Sequence, residues 1–421
     1  MKKIYFETYG CSASFSNAEI MKGILKKNYL IIENLEDADV IIINTCIVKS
    51  PTETKMWRRL KYFSTLNKFV VVAGCMPEVY SKRIQEKHPS FSLLGPRNID
   101  KIKEVVDAFP NKKVILGKRN IVKSELPKFR RNKIIDIEQI SDGCLGNCSY
   151  CSVKFAKGRL YSYPIESVVT SVEKAVAEGC REIWLTSQDN SAYGIDFSQS
   201  GRSKLPQLIR KVAGINGKFF VRIGMMNPEH IIPVLDELVD AFDSDKVFKF
   251  IHIPVQSGNN RVLSVMKRHY TVEDFEEIVK AFRQRFPRIS VSTDIICGFP
   301  TETEEEFEDT LKLIKEVKPA VLNISRYWAR PMTEASKLKQ VDGKEIKRRS
   351  KKATELFEDI AKSENEKWIN WTGEVLIDEA SPHIIGRNYA YKPIVLRGEY
   401  KLGTWTKVKV KSSTTYNLIA E

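Results

Sequence analysis

The chain has 421 residues, 42% hydrophobic and 29% charged, and carries a formal net charge of +15. This composition excludes a disordered or low-complexity polypeptide, and no apolar run approaches the ~20 residues that cross a bilayer. The length implies about three domains, the basic balance favours an anionic macromolecule as partner, and the strand-like start from Met1 to Tyr9 lacks a signal-peptide core, so a cytoplasmic protein is expected.

Between Lys2 and Gly117, short runs rich in Ile and Val alternate with helical patterns, the signature of an open parallel α/β sheet. Strands are expected at Ile4 to Thr8, Ala38 to Asn44, Phe69 to Ala73 and Phe91 to Leu94, with Ser16 and Ser50 as helix N-caps, the latter followed by Pro51. Residues 118–133 are basic, contain Pro127 and read as a linker. From 134 to 368 a second alternation offers strands at Ile134 to Ile137, Glu182 to Ser187, Phe219 to Ile223, Phe248 to Ile253, Ile289 to Ile296 and Val321 to Tyr327. Six parallel strands suggest a partial (β/α)6 barrel, closed by a charged helix from about Lys344 to Trp368. In residues 369–421 short alternating strands, such as Thr404 to Val410, read as a small β-barrel. The fold class is therefore α/β with a β-barrel appended. Two runs concentrate the positive charge: Lys118, Arg119, Lys123, Lys128, Arg130, Arg131 and Lys133, then Lys344, Lys347, Arg348, Arg349, Lys351 and Lys352. Each is either a solvated face or part of a nucleic-acid footprint.

Eight cysteines in a long chain without a secretion signal point to metal or catalytic use rather than disulfides. Cys144, Cys148 and Cys151 form Cys-x3-Cys-x2-Cys. Three thiolates so spaced can hold three irons of a 4Fe–4S cube and leave the fourth open to a substrate or cofactor. A structural zinc site would need a fourth ligand, and no Cys or His lies nearby in sequence. Cys11, Cys46 and Cys75 are far apart in sequence, yet each follows a predicted strand. The carboxyl ends of a parallel sheet share one crevice, so these three can converge on a second site; three buried core cysteines are the alternative. Cys180 and Cys297 read as packing residues.

These motifs resemble the methylthiotransferase family across essentially the whole chain. The markers are Thr8-Tyr9-Gly10-Cys11, Asn44-Thr45-Cys46, Ala73-Gly74-Cys75-Met76, Gly143-Cys144 to Cys151 with Tyr150, Gly158-Arg159 with Ser162 and Pro164, His252 to Gly258, and Asp294 to Pro300. The spacing of the second triad is that of radical S-adenosylmethionine (SAM) enzymes. Leu185 to Asp189, Ala192-Tyr193-Gly194, Val153 to Arg159 and Arg222 to Pro228 are similar to the archaeal and eukaryotic branch. That branch converts N6-threonylcarbamoyladenosine (t6A) at tRNA position 37 to its 2-methylthio derivative. One departure is that family members commonly place an Asn about three residues after the first cysteine, whereas here Ser12 to Ser16 precede Asn17.

The resemblance implies an N-terminal cluster domain over 1–117, a radical SAM domain over 134–368 and a TRAM barrel over 369–421. It implies two 4Fe–4S clusters, on Cys11, Cys46 and Cys75 and on Cys144, Cys148 and Cys151, with SAM as methyl donor and radical source. The implied partners are tRNA at its anticodon loop, an electron donor such as a ferredoxin or flavodoxin, and a sulfur donor that the sequence leaves unspecified. Around SAM, barrel geometry suggests Gln188 and Asp189 after the second strand, Arg222 near the end of the third for the carboxylate, Gln256 after the fourth, Asp294 on the fifth and Gly298 beyond it, where a small residue admits adenine. Capping or core hydrogen bonding is the alternative for each. Arg326 and Arg330 are candidates to reach the substrate, and His252 to be oriented inside the barrel. Trp371, Tyr389, Tyr391 and Trp405 fit RNA stacking and a barrel core equally. The alternative functions are a methylthiotransferase for isopentenyladenosine tRNA or a ribosomal-protein aspartate, and an iron–sulfur RNA-binding protein without SAM chemistry.

Overall fold

A computed structural model describes residues 1–48, 50–380 and 382–421. The Ile- and Val-rich runs form β1 (Lys3–Thr8), β2 (Leu30–Ile32), β3 (Val40–Thr45), β4 (Phe69–Gly74), β5 (Ser92–Leu94) and β6 (Val114–Ile115), all parallel in the order β2-β1-β3-β4-β5-β6. β3 and β4 are buried throughout because helices cover both faces. Ile42 and Val71 pack with α1 (Ser12–Leu25), while Ile41, Ile43, Val70 and Val72 pack with α2 (Ser50–Phe63) and α3 (Cys75–Lys87); α4 (Ile102–Asp107) joins the first layer. Ser16 is not an N-cap, because α1 already starts at Ser12, and the Ser16 hydroxyl instead donates to the Ile137 carbonyl at 2.9 Å. The expected cap at Ser50 lies outside the described side chains.

The next strands are β7 (Ile135–Gln139), the short antiparallel pair β8 (Ser141–Asp142) and β9 (Tyr161–Ser162), β10 (Glu182–Thr186), β11 (Phe220–Ile223), β12 (Phe250–His252), β13 (Ser290–Cys297) and β14 (Val321–Arg326). The sheets β11-β10-β7 and β12-β13-β14 meet through a parallel bridge between Val221 and Val247, so six parallel strands follow chain order around a partial barrel. Two-residue periodicity sorts the side chains: Ile183, Leu185, Val221, Ile223, Ile251 and Val291 face the helices, whereas Ile137, Trp184, Phe220 and Phe250 face the lumen. Cys180 and Cys297 lie in the helix-side core, as expected of packing residues.

A closed barrel follows, ordered β15-β16-β17-β19-β18 from β15 (Thr372–Glu379), β16 (Ile384–Arg387), β17 (Pro393–Leu396), β18 (Trp405–Ser413) and β19 (Leu418–Ala420). It plugs the amino end of the lumen, with Trp405 4.9 Å from Phe220 and Tyr391 4.8 Å from Phe248, ring to ring. Trp371 packs against Trp368 and Tyr389 at 5.8 and 6.3 Å. All four aromatics that fitted RNA stacking are thus core or interface residues.

Residues 118–133 are only in part solvated, with Lys118, Arg119, Arg131 and Lys133 exposed and three other basic side chains paired. Lys123 is 2.6 Å from Asp142, Lys128 is 3.0 Å from Asp136 and 2.5 Å from Glu138, and Arg130 is 2.6 Å from Asp136. On the long helix Gly343–Glu366, Arg348, Arg349 and Lys352 pair with Glu302, Glu304, Glu308 and Glu345. Much of both basic runs therefore ties the chain to itself, mostly through carboxylates on other elements.

Candidate functional site

Cys11, Cys46 and Cys75 follow β1, β3 and β4, three neighbouring strands, at one edge of the sheet. Gly10 has φ +119°, and a Cβ there would sit 2.8 Å from Cys46 Cβ and 3.1 Å from its Sγ, so glycine lets the Cys11 loop close on Cys46. The Val48 N–H donates to Cys46 Sγ at 3.4 Å. Burial, with the Cys11 thiol adding, pushes the Cys46 thiol up; burial pushes Cys75 up to about 12 against the pull of Lys157.

Cys144, Cys148 and Cys151 occupy the loop between β8 and α5 (Val153–Lys157), beyond the carboxyl end of β7. The Gly146 N–H donates to Cys144 Sγ at 3.2 Å, and Arg268 donates to Cys148 Sγ at 3.3 Å. Burial, with Asp189 adding, pushes Cys144 up to about 12. Among the described residues no group of three His, Cys, Asp or Glu is set to hold a single metal ion. A lone zinc draws its thiolates in to about 2.3 Å. A cluster on either triad would take its three thiolates on three different irons, and donors aimed at sulfur favour the thiolates that remain when a cluster displaces the thiol protons.

The triads approach each other because α5 packs on α3, carrying Ala156 into the N-terminal core. Between them, Lys157 Nζ lies 2.8 Å from Asp142 Oδ1 and Lys123 Nζ 2.6 Å from Oδ2, to which the Tyr163 hydroxyl also donates at 3.0 Å. Burial works against the Asp142 charge, yet the two ammonium groups hold its carboxyl below the usual range; burial lowers Lys123 to about 7. Helix α1 seats on the barrel mouth: Ser12 Oγ meets Thr186 Oγ1 at 2.7 Å, and Asn17 Oδ1 accepts from Gln139 at 2.9 Å and Lys123 at 3.1 Å.

The expected SAM residues have distinct fates. Gln188 Oε1 accepts the Gly143 N–H at 2.7 Å and so fixes the entry to the Cys144 loop. Asp189 Oδ1 accepts from the Ser191 and Asn227 N–H groups at 3.0 and 3.1 Å; its buried Oδ2 has no partner and lies 3.7 Å from His230 Nε2. Gln256, at φ +72°, pairs through its backbone with Asp294 and Ile296 at 2.8 and 2.9 Å. Asp294 meets His252 Nε2 at 3.0 Å and accepts from Asn323 at 2.5 Å, which orients the histidine inside the barrel. Gly298 has φ +72° and its missing Cβ would lie 2.4 Å from Ile346 Cγ1, so a residue without a side chain there admits the long helix. Arg222 sits deeper in the lumen, its guanidinium 5.2 Å from the rings of Trp184, Phe250 and Tyr391, with Nε unpartnered. Arg326 and Arg330 are likewise engaged, Arg326 with Ser350 at 2.7 Å, Arg330 with Glu53 at 2.6 Å and the Val48 carbonyl at 2.7 Å.

The family model described as "Radical SAM superfamily" matches residues 139–314, and "Uncharacterized protein family UPF0004" matches residues 3–95. A "Probable threonylcarbamoyladenosine tRNA methylthiotransferase" of Methanothermobacter thermautotrophicus is 41% identical over 100% of this chain and 99% of its own. The "Threonylcarbamoyladenosine tRNA methylthiotransferase" of Drosophila melanogaster is 36% identical over 100% of this chain and 77% of its own. The chain belongs to the threonylcarbamoyladenosine tRNA methylthiotransferase family. Among solved structures, the radical S-adenosylmethionine methyltransferase TsrM from Kitasatospora setae, with cobalamin and a 4Fe–4S cluster bound, matches at a TM-score of 0.57 and 14% identity over 80% of this chain and 74% of that one. At that identity the likeness is one of fold.

Within this methylthiotransferase framework each cysteine triad falls in its own matched segment, and sequence reasoning missed one residue beside them, Arg268. Its guanidinium is partly buried, donates to Asn227 Oδ1 at 2.9 Å as well as to Cys148, and lies 4.8 Å from the Tyr270 ring. Lys267, at φ +57°, ends the preceding helix in a left-handed turn. Nothing in the run Met266-Lys267-Arg268 announces that turn, and the partners of Arg268 come from three separate loops.

Proposed function

We propose that this chain converts t6A at tRNA position 37 to its 2-methylthio derivative, using SAM and two 4Fe–4S clusters. Full-length identity to curated threonylcarbamoyladenosine tRNA methylthiotransferases carries this assignment, and the two triads of free cysteines support it. Cys144, Cys148 and Cys151 hold the cluster that takes SAM; Cys11, Cys46 and Cys75 hold the second. Bound there, the clusters and SAM supply the electron, radical and sulfur chemistry, and the protein supplies binding, orientation and exclusion of water. Gln188 and Arg268 hold the loop of the SAM-side triad in shape. The free Oδ2 of Asp189 and the Gln256 amide, which makes no hydrogen bond among the described residues, are the polar groups left to face SAM.

Residues 1–117 act as the second-cluster domain, 134–368 as the radical SAM domain and 369–421 as the TRAM domain, with 118–133 as the tie between the first two. On β18, Lys407, Lys409 and Lys411 are exposed while Val408 and Val410 fill the barrel, an outward stripe suited to phosphate. Among the described residues no helix is long and apolar enough to cross a membrane. The enzyme works in the cytoplasm on the anticodon loop, with electrons from a donor such as a ferredoxin or flavodoxin.

Anaerobic reconstitution with iron and sulfide, then SAM, dithionite and t6A-containing tRNA, yields a 2-methylthio nucleoside by mass spectrometry. Release of 5′-deoxyadenosine with t6A untouched overturns the substrate assignment, and isopentenyladenosine tRNA or ribosomal protein becomes the next substrate.

A further inference from the structure

Of the six tryptophans, Trp328 alone is exposed; the other five are buried or half-buried. It stands in the loop 327–335, which leaves the carboxyl end of β14. Hydrogen bonds pin that loop at three places. The Tyr327 N–H donates to the Cys297 carbonyl at 2.9 Å, and the Ala335 N–H donates at 2.9 Å to the carbonyl of Ser149, inside the Cys144 to Cys151 loop. Between these ends Arg330 reaches the carbonyl of Val48, two residues beyond Cys46, at 2.7 Å and Glu53 at 2.6 Å. The loop therefore runs from the margin of one cysteine triad to that of the other.

Arg330 turns inward, whereas Trp328 and Met332, two residues to either side, and Val48, whose carbonyl it holds, stay exposed at 65%, 57% and 52%. Met332 is at φ +66°, a conformation that an L-residue keeps only where its surroundings impose it. The neighbouring charge suits a polyanion. Lys337, Lys339, Lys344 and Lys347, on the continuation of the loop and the first turns of the long helix, are exposed and pair with no carboxylate among the described residues. Glu334, the loop's own carboxylate, is held by Lys267 at 2.6 Å. The long helix lies against β14, where Arg326 Nε donates to Ser350 Oγ at 2.7 Å, so its first turns stand beside the strand that leads to Trp328. An exposed aromatic flanked by unpaired cations is the surface on which single-stranded nucleic acid stacks a base while its phosphates meet the charges.

We infer that Trp328 is a substrate-positioning residue whose indole stacks on the unpaired base adjoining nucleotide 37 of the RNA, while nucleotide 37 itself reaches in towards the triads. The inference deepens the reading of the substrate as a tRNA anticodon loop and rests on it. A base held outside on the loop 327–335 limits how far its neighbour can enter, so this stacking sets the register of the RNA over the barrel mouth.

The test uses the full-length chain reconstituted with iron and sulfide, and fluorescence anisotropy of a labelled anticodon stem–loop RNA that carries t6A. The intact loop is compared with loops that have an abasic site immediately before or immediately after the t6A. Trp328→Ala is expected to raise Kd for the intact loop on the order of tenfold, at iron content equal to the parent, and Trp328→Phe to keep most of the parental affinity. On one of the two abasic loops the parent loses a similar factor and Trp328→Ala costs nothing further. Equal Kd of parent and Trp328→Ala on the intact loop, or the same loss on all the RNAs, overturns the inference. A parental dimer in sedimentation that Trp328→Ala dissociates, with RNA binding unchanged, gives the patch to a second copy of this chain and overturns it as well. A parent that binds none of the RNAs overturns the anticodon-loop reading itself, and the inference with it.

Discussion

Replacing Lys128 by Met keeps most of the apolar stem of the side chain and removes the cation shared by two buried carboxylates. Asp136 retains Arg130 at 2.6 Å, but Glu138 keeps only the Ser171 hydroxyl at 2.6 Å, and its Oε1 already lacks a partner. Taking one partner from a buried pair destabilises by about 3–5 kcal/mol, because the other charge stays in the interior. Burial raises Glu138 to about 7 even with Lys128 pulling it down, so without Lys128 the folded value rises further, against about 4.3 for an unfolded Glu. Between those values the folded state binds more protons than the unfolded state, and the stability of the variant falls as pH rises. In anaerobic urea unfolding followed by tryptophan fluorescence, Lys128→Met should lose about 3–5 kcal/mol at pH 8 and clearly less at pH 5.5. A loss under about 1 kcal/mol at pH 8, or the same loss at both pH values, would refute the ion-pair account of residues 118–133.

The triads divide the chemistry, so Cys144→Ala should abolish 5′-deoxyadenosine formation, whereas Cys11→Ala should retain part of it and block sulfur insertion; equal loss in both contradicts the division. Each variant should hold about four irons instead of about eight, by iron analysis. Gly298→Ala places a methyl group 2.4 Å from Ile346 at φ +72° and should lower stability by about 1–3 kcal/mol. Ile346→Ala in the same chain should recover part of that loss, and its failure to do so removes the packing explanation. Replacing Lys407, Lys409 and Lys411 by Gln should weaken tRNA binding and flatten its salt dependence by on the order of two units in the log–log slope; an unchanged slope in filter-binding assays assigns the stripe to ordinary solubility.

Sequence patterning reached the six barrel strands because their Ile- and Val-rich runs are buried on one side by helices and bounded by turns. It passed over β2, β6, β8 and β9, which are two or three residues long and show no period. The two cysteine triads were legible for different reasons, Cys144 to Cys151 by spacing and Cys11, Cys46 and Cys75 by their common position after strands. What patterning misjudged was charge and aromaticity. The partners of Lys123 and Lys128 lie 8 to 19 residues away in a different element, and Glu302, one partner of Arg349, lies 47 residues away. A count of basic residues cannot tell a paired lysine from a free one. Tyr391 and Trp405 have the alternation of any small barrel, and only the docking of that barrel under Phe220 and Phe248 shows which way they point.

That docking makes the central barrel a cup with a fixed bottom. With Tyr391, Trp405 and Leu376 as the stopper, nothing enters or leaves through the amino ends of the strands, and α1 already leans over part of the rim. A polynucleotide resting on that rim would act as a lid on whatever small molecule lies inside. A small molecule held in the lumen therefore has the carboxyl rim, beside α1, as its route in and out.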